Sequence, residues 1–396
     1  MRPHATVIEV VEFVWPSRAC GTALVGALVG LLAVALPAVV SAQGAPRLPA
    51  FRPDVTFGIV FDDNVFMRTE PEGDIFMRLT PGFSLVHDSP RLNVNGLFRF
   101  DAERYQERTD LNEAVARQES SLDLTWRPNN RFGLISRAAY DRTQTPLDLN
   151  AATGLTGGRQ PAWRMDFSVG LENTIRPRRR ITVGGDYSHY DLEVGIDSTL
   201  RAVRVRYTED LSPRSQLYFN YRFEQREFLP GALLVSHVGV GAWSYRLAPP
   251  LLLVLEAGPR VSEGEWSPEV NVSVSQTINN ITTFSAGYAH TQDVAVGVPG
   301  LITIDRVTTS LALRRNLLWE LIVVGGAFRN VQPGGDTVAY DASVSVGRSL
   351  SDALWLVATA SRTSNDIRTR GVTVVNSEIV RNWVMVSIRV QPFRPR

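Results

Sequence analysis

The sequence contains no lysine: all 41 of its basic residues are arginine, and 40 aspartate and glutamate residues balance them. With a formal net charge of +1, the chain has no bulk positive field, so we expect no nucleic-acid partner. The only cysteine is Cys20, which lies in a segment that we expect to be removed. The remaining chain then has no thiol, which excludes disulfide scaffolds, cysteine zinc sites and cysteine nucleophiles.

Long apolar runs are also scarce. The one clear run, from Gly21 to Val40, follows a charged segment that ends at Arg18 and precedes the small residues Ser41 and Ala42. This pattern predicts a signal peptide over residues 1–42, cleaved near Ala42, and then a periplasmic N-terminal lead over 43–53. A retained N-terminal anchor is the alternative. No later stretch approaches the roughly 18 apolar residues that a membrane helix needs.

The chain after the signal is dominated by a two-residue alternation of apolar and polar side chains. In 91–103, for example, Val94, Phe98 and Phe100 share one parity, while Arg99 and Asp101 share the other. The same pattern recurs in 164–172, 216–226, 338–346 and 384–390. Because a period of two is typical of strands with one apolar and one polar face, the sequence predicts an all-β chain.

Connection lengths distinguish a barrel from a sandwich. Short turns are predicted at 87–91, 127–131, 176–180, 211–214, 248–250, 279–280, 314–316 and 349–352. Mostly longer loops are predicted between them, at 67–74, 105–113, 144–162, 291–303 and 363–376, with 228–232 as a short exception. Short turns on one side and longer loops on the other are typical of an outer-membrane barrel. We therefore expect residues 54–396 to form a closed antiparallel transmembrane β-barrel of about 18 strands, with 16 as the alternative.

A barrel of this width leaves an aqueous lumen, so its polar parity is expected to line a pore. The predicted pore-lining residues are Arg99, Asp101, Glu103, Arg137, Asp141, Arg164, Asp166, Glu172, Arg204, Arg206, Arg222, Glu224 and Arg226. These groups can bind sugar hydroxyls or uronate carboxylates, or they can form a lattice of ion pairs that only stiffens the wall. The loop 144–162 is the best candidate for an inward constriction, and an exposed surface loop is the alternative. Six tryptophans near strand ends, Trp126, Trp163, Trp243, Trp319, Trp355 and Trp383, are expected to form interfacial girdles.

The opening strand pair resembles a known family. Residues 57–66 (FGIVFDDNVF) and 74–85 (DIFMRLTPGFSL) are similar to the start of β-barrel porin family 2. The resemblance implies an outer-membrane porin associated with exopolysaccharide synthesis, and it brings no catalytic residues. The C-terminus departs from the common pattern of outer-membrane barrels, because Phe393 is followed by three residues and lies out of phase with the Val384 and Ile388 face.

Catalytic and metal-binding signals are weak. The histidines after the signal, His87, His189, His237 and His290, have no ligand spacing, so we expect no enzyme, metal or cofactor. One acidic group could collect calcium, although a solvated strand end explains it better: Asp62, Asp63, Asn64, Glu70, Glu72 and Asp74.

The sequence therefore favours a porin in the outer membrane of a Gram-negative cell, giving passive passage to a hydrophilic polymer or solute. Exopolysaccharide export is the leading hypothesis. A general small-solute diffusion porin and a closed structural or surface-display barrel are the alternatives. The expected partners are outer-membrane lipid, the β-barrel assembly machinery and, for export, polysaccharide and periplasmic export components.

Overall fold

The computed structural model describes residues 50–391, apart from 156–157, 230, 280, 297, 299, 316–317, 333–334 and 370–375. The predicted signal peptide 1–42 and Phe393 lie outside the described residues. The strands are β1 (Ala50–Asp62), β2 (Asp74–Asp88), β3 (Leu92–Tyr105), β4 (Glu113–Trp126), β5 (Phe132–Thr143), β6 (Ala162–Arg176), β7 (Arg179–Leu192), β8 (Asp197–Ser212), β9 (Ser215–Leu229), β10 (Ala232–Ala248), β11 (Leu251–Ser262), β12 (Glu265–Ile278), β13 (Thr282–Asp293), β14 (Ile302–Arg315), β15 (Trp319–Gln332), β16 (Gly335–Ser349), β17 (Leu354–Thr369) and β18 (Asn376–Val390).

These strands form one closed antiparallel barrel, which confirms the predicted fold and its count of 18 strands. Each strand pairs with its neighbour in sequence, and β1 pairs with β18 from Val55 opposite Val390 to Asp62 opposite Trp383. The β1–β18 pairing closes the ring over eight residues of each strand, and over that stretch both strands have a paired neighbour on each side.

The short turns that the sequence predicted form one end of the barrel. All eight predicted short turns separate consecutive strands, from β2–β3 through β16–β17. In the β4–β5 turn, Asn129 Oδ1 accepts hydrogen bonds from the backbone N–H groups of Arg131 and Phe132, at 2.8 and 2.9 Å. A side chain that satisfies two turn donors in this way favours a tight reversal.

The opposite end differs from the prediction in three respects. The first strand begins at Ala50, so the predicted lead 43–53 overlaps it, because Phe51 to Pro53 already pair with β2. Strand β17 continues to Thr369, well into the predicted loop 363–376. Strands β11 and β12 are separated by only two residues, and so are β15 and β16, whereas the short β9–β10 connection agrees with the prediction for 228–232. Side chains continue to alternate between the two faces in these segments. Strand pairing therefore extends into the polar stretches that the sequence analysis assigned to loops.

The two faces of the sheet differ sharply in chemistry. One face carries large apolar side chains that remain exposed, such as Ile59 (50%), Phe61 (52%), Val203 (54%) and Phe219 (59%). Their sequence neighbours on the other face are mainly arginine, carboxylate, serine and threonine. Residues of the β1–β2, β5–β6 and β13–β14 loops pack against this second, polar face, which is therefore the interior of the barrel.

The tryptophans divide between the two faces. The strand registers place Trp126, Trp163, Trp243 and Trp319 on the outer face with the apolar row. Trp355 and Trp383 lie on the inner face, and Trp383 packs against the internal cluster around Val60 and Phe76. The interfacial girdle prediction is therefore wrong for these two.

Helical structure is confined to two single-turn 3-10 helices in loops, Thr109–Leu111 and Pro146–Asp148. None of the helices in the described part of the chain has the length and apolarity of a membrane-spanning helix.

Candidate functional site: a polar interior and its constriction

The thirteen predicted pore-lining residues all lie on the inner face. Direct register partners share a face of the sheet, and the pairings Asp101–Arg117, Asp141–Arg164 and Arg204–Arg222 connect the predicted positions across β3 to β9. The same face carries Tyr190, which packs against an apolar cluster that includes Leu149 of the β5–β6 loop. The structure thus brings the thirteen residues onto one continuous wall of the interior.

Most of these residues pair with the opposite charge on a neighbouring strand. Arg99 Nε donates to Glu119 Oε2 at 2.8 Å, and an Arg204 nitrogen lies 2.9 Å from Asp186 Oδ1. Arg164 is held between Asp166 at 2.8 Å and Asp141 at 3.3 Å. Pairing of this kind stabilises arginines in fixed rotamers along the wall, and it leaves their exposed nitrogens and oxygens free to bind solutes.

A network of buried charges surrounds Glu224, which is 1% exposed. Arg260 Nη1 donates to Glu224 Oε2 at 2.9 Å, and Arg260 Nε donates to Glu269 on β12. Arg226 extends the network, because its Nη2 donates to Asp293 Oδ1 at 3.0 Å. The sequence did not single out Arg260 or Glu269. Inward-facing Val238 and Val254 interrupt the polar row on β10 and β11, which weakens the alternation around Arg260.

A loop crosses the interior from one wall to the opposite one. It connects β5 to β6, and its Asn150 is 3% exposed. The Val296 backbone N–H donates to Asn150 Oδ1 at 2.8 Å, and Asn150 Nδ2 donates back to the Val296 carbonyl at 3.4 Å. Asn330 Nδ2 on β15 donates to the Thr153 carbonyl at 2.8 Å. Because β15 lies nine strands from β6 in a ring of eighteen, these contacts join opposite walls.

The local sequence of this loop suits its inward path. Pro146 begins the 3-10 helix, where its fixed φ is already appropriate. Gly154 has φ +65° and packs against Phe328, and a Cβ at this position would lie 2.7 Å from the Phe328 ring. Leu149 and Leu155 are buried in two separate apolar clusters, one against Leu192 and one against Ile302 and Ile304. The sequence left two alternatives for 144–162, an inward constriction and an exposed surface loop. The described residues of this loop form the inward constriction.

Other loops narrow the same end of the barrel. The β1–β2 loop buries Val65 against Val60, Phe76 and Tyr105 on the inner wall. Arg159 of the crossing loop lies nearby, where its Nη1 donates to the Tyr105 hydroxyl at 3.0 Å. This side of the mouth is therefore filled by packed apolar side chains and hydrogen bonds.

A cavity of about 300 Å³ remains beneath the crossing loop. It is lined by loop residues 149–153 and by Arg164, Tyr190, Asp293, Val294 and Arg306. Two arginines, a tyrosine, a carboxylate and loop backbone therefore converge on a space large enough for a small organic molecule.

The acidic group considered for calcium is arranged differently from a cation site. Arg381 Nε donates to Asp62 Oδ2 at 2.9 Å, and Asn382 Nδ2 donates to Asp63 Oδ2 at 2.6 Å. Asp74 accepts backbone N–H groups of the β3–β4 loop, and Glu72 pairs with Arg108. Protein donors therefore bind carboxylate oxygens of Asp62, Asp63, Glu72 and Asp74, and these residues join β1 to β18 and to the next loop.

The histidines give no catalytic constellation. His189, His237 and His290 share the outer face, where each contacts a neighbouring side chain, Thr199, Tyr221 and Asp305 respectively. Within the described ranges, no group of three or more His, Cys, Asp and Glu residues is arranged to hold a metal ion.

Comparisons with known proteins give matches only among solved structures. No protein-family model matches the chain, and no curated protein does, so the resemblance to β-barrel porin family 2 rests on the opening strand pair alone. The chain is similar to OpdQ of Pseudomonas aeruginosa at 9% identity and a TM-score of 0.45, covering 88% of this chain and 99% of that one. OccK5 (OpdH) of the same organism is similar at 8% identity and a TM-score of 0.44, covering 87% of this chain and 98% of that one. The siderophore receptor PirA of Pseudomonas aeruginosa is similar at 10% identity and a TM-score of 0.42, covering 89% of this chain and 82% of that one. Similarities this low carry no argument about the function of this chain.

Proposed function

We propose that the chain is an outer-membrane channel that gives hydrophilic solutes passive passage through the lumen of its barrel. The observation that carries the proposal is the contrast between the two faces of one closed sheet. Large apolar side chains stay exposed all round the outside, while paired charges and hydroxyls face the inside.

The outer face supports placement in a lipid bilayer. Exposed apolar surface of this extent is unusual for a protein surrounded by water, and it matches the apolar band of a membrane barrel. The strands, of 12 to 17 residues, exceed the 9–11 residues or so that a tilted strand needs to cross the hydrocarbon. On the proposed topology the signal peptide 1–42 directs export, and the β-barrel assembly machinery inserts the chain into the outer membrane of a Gram-negative cell.

The constriction supports small solutes as the cargo. The β5–β6 loop crosses the lumen and is hydrogen-bonded to the opposite wall, and the β1–β2 loop packs against β1 to β3. A small hydrophilic molecule needs less clearance than a hydrated polymer chain, so we favour general small-solute diffusion. Exopolysaccharide export is the second candidate, because the opening strand pair resembles porin family 2 and the wall arginines can bind sugar hydroxyls. Neither candidate needs a catalytic residue or a cofactor.

The test is conductance of the purified protein in planar lipid bilayers, with swelling of proteoliposomes in sugars of increasing size. The proposal predicts discrete channels and permeation of mono- and disaccharides that falls off with size. Permeation that continues for long oligosaccharides would instead support polymer export. The absence of any channel current from correctly folded protein would overturn the proposal and favour a closed structural or surface-display barrel.

A further inference from the structure

The cavity beneath the crossing loop contains an arginine without a carboxylate partner. Arg306 lies on β14 and faces the lumen, since it pairs in register with inward-facing Ala289 and Phe328. Among the residues that the structure describes, no carboxylate lies within ion-pair distance of Arg306. Arg164, the other arginine of the cavity, is held between two carboxylates. The cavity therefore presents one guanidinium whose hydrogen-bonding fork is available to a ligand.

We propose that this cavity is a binding site for small monocarboxylate sugars, such as uronic acids, at the narrow part of the channel. The inference rests on the proposed channel function and adds a substrate class to it. Arg306 is the anchor for the carboxylate, because a planar guanidinium matches a carboxylate with two parallel hydrogen bonds.

The remaining lining suits the body of a sugar. The Tyr190 ring and the side chains of Leu149 and Val294 form apolar walls, against which the C–H face of a sugar ring can pack. Asp293, with a side chain that is 42% exposed, and Arg164 supply an acceptor and donors for hydroxyl groups. A volume of about 300 Å³ accommodates one monosaccharide and excludes a longer chain.

The position of the cavity links binding to passage. It is bounded on one side by the loop that joins the two walls, at residues 149–153, and on the other by strands β6, β7, β13 and β14. A ligand that enters this space therefore obstructs the lumen next to the constriction, and binding is measurable as a block of ionic current.

The experiment measures single-channel current of the full-length protein while galacturonate is added, with galactose as the neutral probe of the same shape. Galacturonate is expected to block in a concentration-dependent way, and galactose is expected to block much more weakly. Arg306→Gln should raise the half-blocking galacturonate concentration by about tenfold or more, because it removes a charge-assisted hydrogen bond, whereas Arg306→Lys should restore part of the block.

The matched control is Arg314→Gln, which makes the same change on the same strand and face at its other end. Arg314 pairs with Glu320 at 2.7 Å and lies eight residues along β14 from Arg306, outside the cavity lining, so its substitution should leave the block unchanged. Equal block by galactose and galacturonate, or a block that Arg306→Gln leaves intact, would overturn the binding site while leaving the channel in place. Loss of all current in every variant and in the parent protein would instead count against the channel itself.

Discussion

At the scale of single residues, one buried ion pair connects the first and last strands of the barrel. Asp62 at the end of β1 is 1% exposed, and Arg381 on β18 donates to it at 2.9 Å. Asp62 Oδ1 also accepts the backbone N–H of Asn64, so the carboxylate is bound on both sides. The sequence predicted that this aspartate was a polar strand end. It could not reveal the partner, which lies 319 residues away along the chain.

Replacing Arg381 with methionine should destabilise the barrel by about 3–5 kcal/mol, because the Asp62 carboxylate is then buried without its counter-charge. The measurement is urea unfolding of the protein in detergent micelles or vesicles. Adding Asp62→Asn to the same variant should recover part of the loss, since it removes the uncompensated charge.

The control for this prediction is Arg368→Met. Arg368 pairs with Asp366 at 2.9 Å, but its side chain is 62% exposed, so we expect a loss of about 1 kcal/mol or less. If Arg381→Met and Arg368→Met lower the free energy of unfolding equally, the buried pair does not have the role described here.

At the scale of structural elements, local pattern predicted strands and turns, and it left the path of the long loop 144–162 open between an inward and a surface position. Alternation in 91–103 and 216–226 correctly assigned the inner and outer faces of β3 and β9, because a period of two is a property of each strand alone. The path of the crossing loop depends on contacts between Asn150 and Val296, which are 146 residues apart. No local pattern encodes such a contact. Trp383 is a different case, because the alternation in 384–390 already gives it the inner face, and the girdle prediction considered only its closeness to a strand end.

The contact between Asn150 and Val296 should keep the crossing loop in its inward position and so keep the channel narrow. Asn150→Ala removes the two hydrogen bonds to Val296 and a third to the Leu155 carbonyl within the loop. Each of the two bonds to Val296 is worth on the order of 1 kcal/mol, so their loss shifts the loop toward released conformations by roughly fivefold or more per bond. We expect a larger and noisier single-channel conductance.

Asn129→Ala is the appropriate comparison, because Asn129 makes its hydrogen bonds in a turn at the opposite end of the barrel. That variant should lose some stability and keep the parental conductance. A conductance that is identical in Asn150→Ala and in the parent would show that this contact does not restrict the channel.

At the scale of the whole molecule, the outer face of the sheet contacts lipid and the inner face contacts water. Every strand offers one row of side chains to lipid and the other to water, and closure into a ring of eighteen strands keeps the two apart. Length, turn spacing and alternation were sufficient to predict this architecture. They could not predict how far the lumen is filled, because that depends on how the β1–β2, β5–β6 and β13–β14 loops pack on the inner wall and on one another.

The most direct test is single-cysteine labelling along β8, in a Cys20→Ser background that otherwise lacks cysteine. Cysteine is placed in turn at Val203, Arg204, Val205 and Arg206, and the protein reconstituted in vesicles is treated with a membrane-impermeant maleimide. The account predicts rapid labelling at positions 204 and 206 and protection at 203 and 205, in strict alternation. Equal labelling at all four positions, or labelling confined to 203 and 205, would contradict it.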